Sequence, residues 1–244
     1  MLDLLPAGLP GPAAGAFTTR TGGVSRDPYA SLDLGAHVGD DPQAVAANRE
    51  AVRAATGVDA LVFAEQVHGT GVAVVQGPTS APHPGADGLV TATPGLGLVV
   101  LAADCLPVLL ADPSAGVVAA AHAGRAGLAA GVLQAVLAAM GSLGARAADI
   151  RAVLGPAACG RCYELPAALA DEVGAVVPGS RSTTRTGTAS VDLAAGASAL
   201  LRTAGLVDVR VVGGCTLEQP ELFYSYRRDG RTGRHAGIAW VARG

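Results

Sequence analysis

Three residues of this chain carry reactive side chains at places where apolar segments are interrupted. His68 follows residues 61 to 67 in FAEQVHGTG, Cys105 interrupts VVLAADCLPVLL, and His122 ends VVAAAHAG. Each lies near Gly or Pro, where the backbone can approach a ligand closely. Side chains at the ends of strands can point into a cleft, so we take His68, Cys105 and His122 as candidate catalytic residues.

Two imidazoles and one thiol are a set that suits zinc, since both groups are preferred zinc ligands. Three protein ligands leave a fourth position open, as in catalytic zinc sites. A metal of this kind lowers the pKa of a bound water to about 7 or polarises a substrate atom. The spacings, 37 residues from 68 to 105 and 17 from 105 to 122, match no compact zinc finger. The ligands would therefore have to converge through the fold.

A cysteine nucleophile is an alternative interpretation of the same residues. Cys105 would attack the substrate and His122 would act as its base, because a thiolate needs a partner that lowers its pKa. A buried structural role for Cys105 is a third interpretation, since free Cys is among the most buried residue types. Residue types and spacing leave all three open.

The remaining cysteines and histidines give weaker signals. Cys159 and Cys162 form a CxxC, which is half of a structural zinc site or a redox pair, and no second CxxC completes it. Two free thiols in a loop is the simplest interpretation. His37 and His83 lie in polar, turn-rich stretches and are expected to be exposed, whereas the setting of His235 is ambiguous.

Composition narrows the class of protein. The chain has 244 residues, half of them hydrophobic but only 3% aromatic, so Ala, Val and Leu must build the core of one domain over residues 1–244. A net charge of −3 excludes no fold but argues against nucleic acid as a partner. All 17 basic residues are Arg, which excludes a Schiff-base or Walker-type lysine. We expect no membrane span, no secretion signal, a cytoplasmic location and, by default, a monomer.

Periodicity and turn signals predict a mixture of strands and helices. Asp41-Pro42 should start a helix that runs to about Thr56 and stops at Gly57. The first 40 residues, rich in Gly and Pro, are expected to be turns, and residues 179–190 an exposed loop. Further helices are predicted at 128–143, 166–176 and 192–204. Strands are predicted at 59–67, 71–76, 89–91, 96–102, 107–110, 117–121, 150–154, 208–212 and 238–241. Many connections are too short for crossover helices, so the strands should have mixed orientation.

Three motifs resemble those of a known family. QVHG at 66–69, ADCLPVLL at 103–110 and AHAGRAGL at 121–128 are similar to the motifs of the YfiH/laccase-domain family, also called polyphenol oxidases. Four further segments agree, at 20–49, 85–91, 155–165 and 223–241. The seven segments are colinear and cover nearly the whole chain, which makes the resemblance specific.

The resemblance implies a fold, a metal and an activity. The fold would be α+β, a single layered α/β/β/α domain with mixed sheets. The metal would be Zn²⁺ held by His68, Cys105 and His122, with copper less favoured and no true laccase copper set. The activity would be that of a purine nucleoside phosphorylase acting on adenosine, inosine and 5′-methylthioadenosine, with adenosine deamination beside it. The partners would then be purine nucleosides and phosphate.

Residues near the three ligands are expected to bind the substrate. Arginine suits phosphate because its guanidinium donates in a fork, which makes Arg49, Arg125 and Arg20 candidates. Gln66 lies two residues before His68 and can share its face. Asp104 adjoins Cys105, but neighbours on a strand face opposite sides, so a structural role is expected.

Two departures from the family pattern and three rival functions stay open. The family usually has Trp-Arg after HAG, where this chain has Arg125-Ala126, and Asn where it has Asp33. Both put the substrate preference in doubt. The first rival is a cysteine hydrolase or deamidase that uses Cys105 and His122. The second is a copper oxidase, as the older family name suggests, although three widely spaced ligands do not make a multicopper centre. The third is a peptidoglycan-precursor editing factor.

Overall fold

Two mixed β-sheets and the helices that flank them make up the part of the chain that the structure describes, residues 2–243 of a computed structural model. The strands, in chain order, are β1 (Leu4–Pro6), β2 (Ala13–Thr18), β3 (Ala60–Phe63), β4 (Val72–Val74), β5 (Gly88–Thr91), β6 (Leu96–Ala102), β7 (Leu106–Asp112), β8 (Val117–Ala123), β9 (Arg151–Leu154), β10 (Arg181–Thr183), β11 (Ala189–Val191), β12 (Asp208–Val211) and β13 (His235–Val241). The helices are α1 (Pro42–Thr56), α2 (Arg125–Ala130), α3 (Val132–Ser142), α4 (Ala167–Val176), α5 (Leu193–Thr203) and α6 (Tyr226–Asp229).

The two large sheets have five and six strands. The first has the order β1-β2-β13-β6-β3 and the second β12-β9-β7-β8-β5-β4. Both mix orientations: β6 runs antiparallel to β13 but parallel to β3, and β5 runs antiparallel to β8 but parallel to β4. The predicted mixed α/β class is confirmed.

Three apolar clusters show that the sheets and helices are stacked in layers. On β6, Leu98 and Val100 pack between the two sheets, while Val99 and Leu101 face the layer of α1. The third cluster lies on the other face of the six-stranded sheet, where Val136 and Met140 of α3 pack. The order α1, five-stranded sheet, six-stranded sheet, remaining long helices is the α/β/β/α arrangement that the resemblance implied.

Helix α1 begins and ends where its capping residues predict. The Asp41 side chain accepts the N–H of Gln43 at 2.9 Å, Pro42 is the first helical residue, and Gly57 ends the helix in the left-handed conformation. These caps satisfy backbone groups that a helix end leaves unpaired. Val45, Asn48 and Val52 form its buried face.

Three expectations about elements were wrong. Strands β1 and β2 lie within the first 40 residues, where no strand was predicted, and Ala13, Ala16 and Phe17 are buried positions of β2. The hairpin β10–β11 occupies the segment expected to be a loop. The helix expected at 128–143 is two helices, because Gly131, at φ 100°, interrupts it in a conformation that Gly tolerates.

No helix among residues 2–243 is both long and apolar enough to cross a membrane.

Candidate metal centre and cavity

Strand register places Cys105 beside His122. In the β7–β8 ladder Leu106 pairs with Ala123 and Pro107 with His122, so Cys105 lies one step beyond the ladder. His122 is on the face of β8 that carries Val118 and Ala120, which is turned toward the five-stranded sheet. Its side chain is almost fully buried. The two predicted residues therefore meet at the edge of the layer between the sheets.

Asp87 fixes the orientation of His122 from the next strand. It directly precedes β5, opposite His122, and its Oδ1 lies 2.8 Å from His122 Nδ1. A buried carboxylate at this position holds the proton on Nδ1 and leaves Nε2 free to bind a metal. The signal in the sequence was an acid immediately before a buried strand in GADGLVT, and sequence reasoning gave Asp87 no role.

The same carboxylate holds the loop that carries His68. The backbone N–H groups of Val67, His68 and Gly69 donate to Asp87 at 3.1, 3.0 and 2.7 Å. His68 has a φ of 59°, which is unusual for a residue with a side chain. The three N–H donors stabilise this bend, so the loop position of His68 depends on Asp87.

The three predicted ligands converge. Cys105 Sγ lies 3.7 Å from His68 Nε2, and the rings of His68 and His122 stand 4.8 Å apart at 82°. One donor atom from each residue lies within 4.8 Å of the others. Two imidazole nitrogens and a thiol at these distances fit a zinc ion with an open fourth position.

A glycine makes room for this cluster. A Cβ at Gly124 would lie 2.8 Å from His68 Cδ2 and 3.1 Å from Cys105 Sγ. Any side chain at this position would displace His68 and Cys105, two of the three candidate ligands. Gly124, the glycine of the AHAG motif, is therefore needed because His68 and Cys105 pack closely against it, and not because the backbone turns there.

The thiol and the buried imidazole polarise each other. Burial alone would raise the pKa of Cys105, but the positive charge and hydrogen bonds of His122 and His68 outweigh it and lower the pKa to about 6. Burial would lower the pKa of His122, but the Cys105 thiolate and Asp87 raise it to about 9. A deprotonated sulfur is the form that binds metals and the form that attacks as a nucleophile.

The cluster opens into a cavity of about 1310 Å³. Four arginines line it, against two acids, Glu65 and Asp104. These arginines are Arg49, Arg125, Arg227 and Arg234. The Asp104 carboxylate accepts hydrogen bonds from Thr216 Oγ1 at 2.6 Å and from the N–H of Arg227 at 2.7 Å. These two bonds agree with the structural role expected for Asp104. The excess of positive charge suits an anionic ligand.

The predicted substrate-binding residues line this cavity in different ways. Arg49 donates Nε and Nη2 to Leu34 O, at 3.0 and 2.7 Å, and stacks on Phe63. The Gln66 amide makes two hydrogen bonds with the backbone of Leu101: its Nε2 donates to Leu101 O at 2.7 Å, and its Oε1 accepts the N–H of Leu101 at 2.7 Å. Arg125 makes no ion pair with a carboxylate within residues 2–243. Within the described residues its guanidinium is not bonded to a backbone carbonyl, as the side chains of Arg49 and Gln66 are, so Arg125 is the more available to a ligand.

Arg20 does not line the cavity. It donates to Ala30 O at 2.9 Å and Pro220 O at 3.0 Å, and its guanidinium lies over the Tyr224 ring. Through these contacts Arg20 connects the N-terminal segment to the segment after β12, which is a structural role.

The cavity wall includes residues that sequence reasoning did not single out. Tyr163 and Tyr226 stack against Arg227 and Arg234, respectively. They come from segments far apart in the sequence, and only the fold brings them together. His37 also lines the cavity, where partial burial and the charges of Arg234 and Arg49 lower its pKa.

The other histidines lie away from the cluster. His37 is exposed, as predicted. The expectation for His83 was wrong, because His83 forms a bridge with Ala64 and is only partly exposed. His235 is fully buried at the start of β13, against Phe223.

Fold and site together define the class: a layered mixed α/β protein with a candidate His/Cys/His metal centre beside a cavity rich in arginine. The chain belongs to the family described as multi-copper polyphenol oxidoreductase laccase, whose model matches residues 14–242. The resemblance found from the motifs is confirmed.

Relatives from other organisms carry another name. The chain is 53% identical to a purine nucleoside phosphorylase of Streptomyces griseus, over 95% of each chain. It is also 53% identical to a purine nucleoside phosphorylase of Mycobacterium tuberculosis, over 92% of this chain and 90% of the relative.

Solved structures share the fold over nearly the whole length. A Neisseria meningitidis protein superimposes with a TM-score of 0.88 at 37% identity, covering 99% of this chain and all of the other. The Bacillus licheniformis protein YfiH gives a TM-score of 0.87 at 33% identity, covering 94% and 92%.

Proposed function

We propose that this protein is a purine nucleoside phosphorylase whose metal centre is formed by His68, Cys105 and His122. The observation that carries the proposal is the convergence of these three residues on a cavity with four arginines. The names of relatives that are 53% identical over at least nine-tenths of this chain support the reaction class.

The reaction needs a cationic pocket for phosphate. A phosphate oxygen forms a bond to C1′ of the nucleoside, the bond from C1′ to the purine nitrogen breaks, and its electron pair leaves with the base, which takes up a proton. Arg125 would hold the phosphate through charge-assisted hydrogen bonds, and Arg49 would add charge from the cavity wall. Gln66, paired with Leu101, would position the loop of His68 rather than bind substrate through its amide.

Zinc is the metal we propose, and copper is less favoured. The thiolate and two imidazoles suit zinc, and Asp87 presets His122 to bind through Nε2. A bound zinc would supply a Lewis acid and an acidified water. Asp87 would keep both His122 and the His68 loop in place during turnover.

The finer assignments belong to the same proposal. The substrates would be adenosine, inosine and 5′-methylthioadenosine, with adenosine deamination as a second activity. Residues 1–244 would form one domain, monomeric and cytoplasmic, that acts on small molecules and binds neither nucleic acid nor membrane.

The test is product analysis with and without phosphate. Zinc-loaded protein is incubated with each nucleoside, and free base, ribose 1-phosphate and inosine are separated by chromatography. We expect base release that requires phosphate, and a loss of kcat of about a hundredfold or more in Cys105→Ala. Arg125→Ala should raise the KM for phosphate about tenfold or more, whereas Arg26→Ala, an exposed arginine outside the cavity, should not. Folded, zinc-loaded protein that releases no base would refute the proposal.

A second candidate function rests on the Cys105–His122 pair. The lowered pKa of Cys105 is what a cysteine hydrolase or deamidase requires of its nucleophile. A thiol-directed probe separates the two proposals. A nucleophile reacts in the presence of zinc, whereas a zinc ligand is protected until a chelator removes the metal.

A further inference from the structure

We propose that Cys159, Cys162, Cys215 and Glu218 form a second metal site, closed and structural, that holds one zinc ion. The residues come from two segments 53 or more positions apart, and they lie outside the His68 cluster. One ligand atom from each lies within 4.8 Å of all the others. The CxxC pair, incomplete in the sequence, thus acquires two further ligands through the fold.

The contacts place a carboxylate among thiols. Glu218 Oε1 lies 2.9 Å from Cys162 Sγ and 3.8 Å from Cys159 Sγ. Cys215 Sγ accepts the N–H of Cys159 at 3.4 Å. All four cysteines of the chain are free thiols. Three thiols and one carboxylate are four protein ligands, the number that a structural zinc site uses.

The size of the cluster suits a tetrahedral ion. With metal–sulfur bonds of about 2.3 Å, the ligand atoms of such a site stand roughly 3.8 Å apart. All four ligand atoms lie within 4.8 Å of one another, so small side-chain rotations can bring them to this spacing. Arg185 Nη2 contacts the same oxygen, Glu218 Oε1, at 2.7 Å, so a bound ion would share this oxygen with the guanidinium.

Backbone hydrogen bonds shape both ligand loops. The N–H groups of Cys162 and Tyr163 both donate to Cys159 O at 2.9 Å, which closes the CxxC turn. Those of Glu218 and Gln219 donate to Cys215 O at 3.2 and 3.1 Å. The two loops are joined by the Ala157–Cys215 bridge. The ligands are therefore held close without a covalent link.

A redox-active Cys159–Cys162 pair would explain only two of the four residues in this cluster. A Cys159–Cys162 disulfide would need neither Cys215 nor Glu218, and a carboxylate 2.9 Å from Cys162 disfavours the thiolate that begins disulfide exchange. A divalent cation would use all four residues and compensate their negative charge.

The site would brace two walls of the cavity. Tyr163 follows Cys162 and lines the cavity. Thr216 follows Cys215 and donates to Asp104, the neighbour of Cys105. A metal between the loops would hold both in place, a role that is independent of the reaction performed at the His68 cluster.

Cobalt(II) titration of a Cys105→Ala variant tests the site without interference. This variant lacks the thiol of the first cluster, so any thiolate-to-cobalt absorption must come from the other three cysteines. We expect a saturable band at one cobalt per chain, displaced by zinc. Adding Cys162→Ser should abolish the band or weaken binding at least about tenfold, with circular dichroism as the check on folding.

A matched pair of glutamates tests the fourth ligand. Glu218→Ala in the Cys105→Ala background should weaken cobalt binding at least about tenfold. Glu221→Ala, an exposed residue three positions on, should leave it unchanged. If the two substitutions changed cobalt binding equally, Glu218 would not be a ligand. A folded, reduced Cys105→Ala protein with no cobalt–thiolate band would overturn the proposal, as would a Cys159–Cys162 disulfide in the mass of the protein as purified.

Discussion

At the scale of single residues, Asp87 has the largest influence on the candidate centre. One carboxylate accepts His122 Nδ1 and three consecutive backbone N–H groups around His68. It thus controls the orientation of one ligand and the loop conformation of another. Residue type and position made His68, Cys105 and His122 candidates, and the family resemblance predicted them as one metal-binding set. Asp87 was missed because its role depends on the β5–β8 register, which brings it opposite His122.

Asp87→Asn should weaken zinc binding about 10- to 100-fold, because an amide presents one acceptor where the carboxylate presents two. Competition with a chromogenic chelator measures the affinity. Asp171→Asn, which removes an exposed charge beside Arg181, is the matched control and should bind zinc as the wild type does. Unchanged affinity in Asp87→Asn would show that the carboxylate does not support the ligands.

Asp33 is the second residue with a testable electrostatic role. Burial, with a smaller contribution from Asp40, raises its pKa from 3.8 to about 6, against the hydrogen bonds from the N–H groups of Gly35 and Arg234. Its Oδ2 has no partner within the described chain. A folded-state pKa above the unfolded value means that this group favours folding most at low pH and loses that contribution as the pH rises through 6.

Asp33→Asn should therefore gain stability relative to the wild type as the pH increases. Between pH 5 and pH 8 the difference in free energy of unfolding should shift by about 1.4 kcal/mol in favour of the variant. Urea unfolding at the two pH values measures it. A difference that stays constant, or shifts toward the wild type, would contradict the raised pKa.

At the scale of elements, prediction succeeded where local signals decide the structure. Helix α1 has an acid cap, a Pro at its first position and a Gly stop, and its bounds were predicted within a residue. Strands β1 and β2 were missed because Gly and Pro are frequent in their segment, and because β2 joins the sheet by pairing with β13, which is distant in the sequence. The split between α2 and α3 depends on the backbone of one glycine.

The turn from β8 into α2 is the element that the ligands constrain most. Gly124→Ala should reduce zinc content because its Cβ would lie within 3.1 Å of atoms of both His68 and Cys105. Gly141→Ala in α3, where a Cβ meets nothing within 4 Å, is the control and should raise stability by about 0.5–1 kcal/mol. Metal analysis and thermal unfolding of the two variants give the comparison. Full zinc content in Gly124→Ala would contradict the packing argument.

At the scale of the whole molecule, the two sheets pack closely because glycines face large side chains. A Cβ at Gly15 of β2 or Gly237 of β13 would lie 3.1 or 3.3 Å from the methyl groups of Leu109 on β7. Because the chain has few aromatic residues, such contacts fill the layer that ends at the candidate metal centre. Composition predicted an aliphatic core, but only the fold shows which leucine fits which glycine.

Leu109→Ala should destabilise the protein by about 2–5 kcal/mol, because Leu109 is fully buried between the sheets and its loss leaves a cavity. Val211→Ala, at 59% exposure, should change stability by less than about 0.5 kcal/mol. Denaturant unfolding of both variants is the measurement. Equal effects would show that the layer is not closely packed around Leu109.

The central claim, a metal held by His68, Cys105 and His122 beside the arginine-lined cavity, is tested most directly by anomalous diffraction at the zinc edge. Crystals of protein purified without chelator should show a peak about 2.0–2.3 Å from both imidazole nitrogens and Cys105 Sγ. A second peak among Cys159, Cys162 and Cys215 would be recorded separately in the same map. An ordered site with no peak at the three ligands, even after zinc is added, would contradict the account.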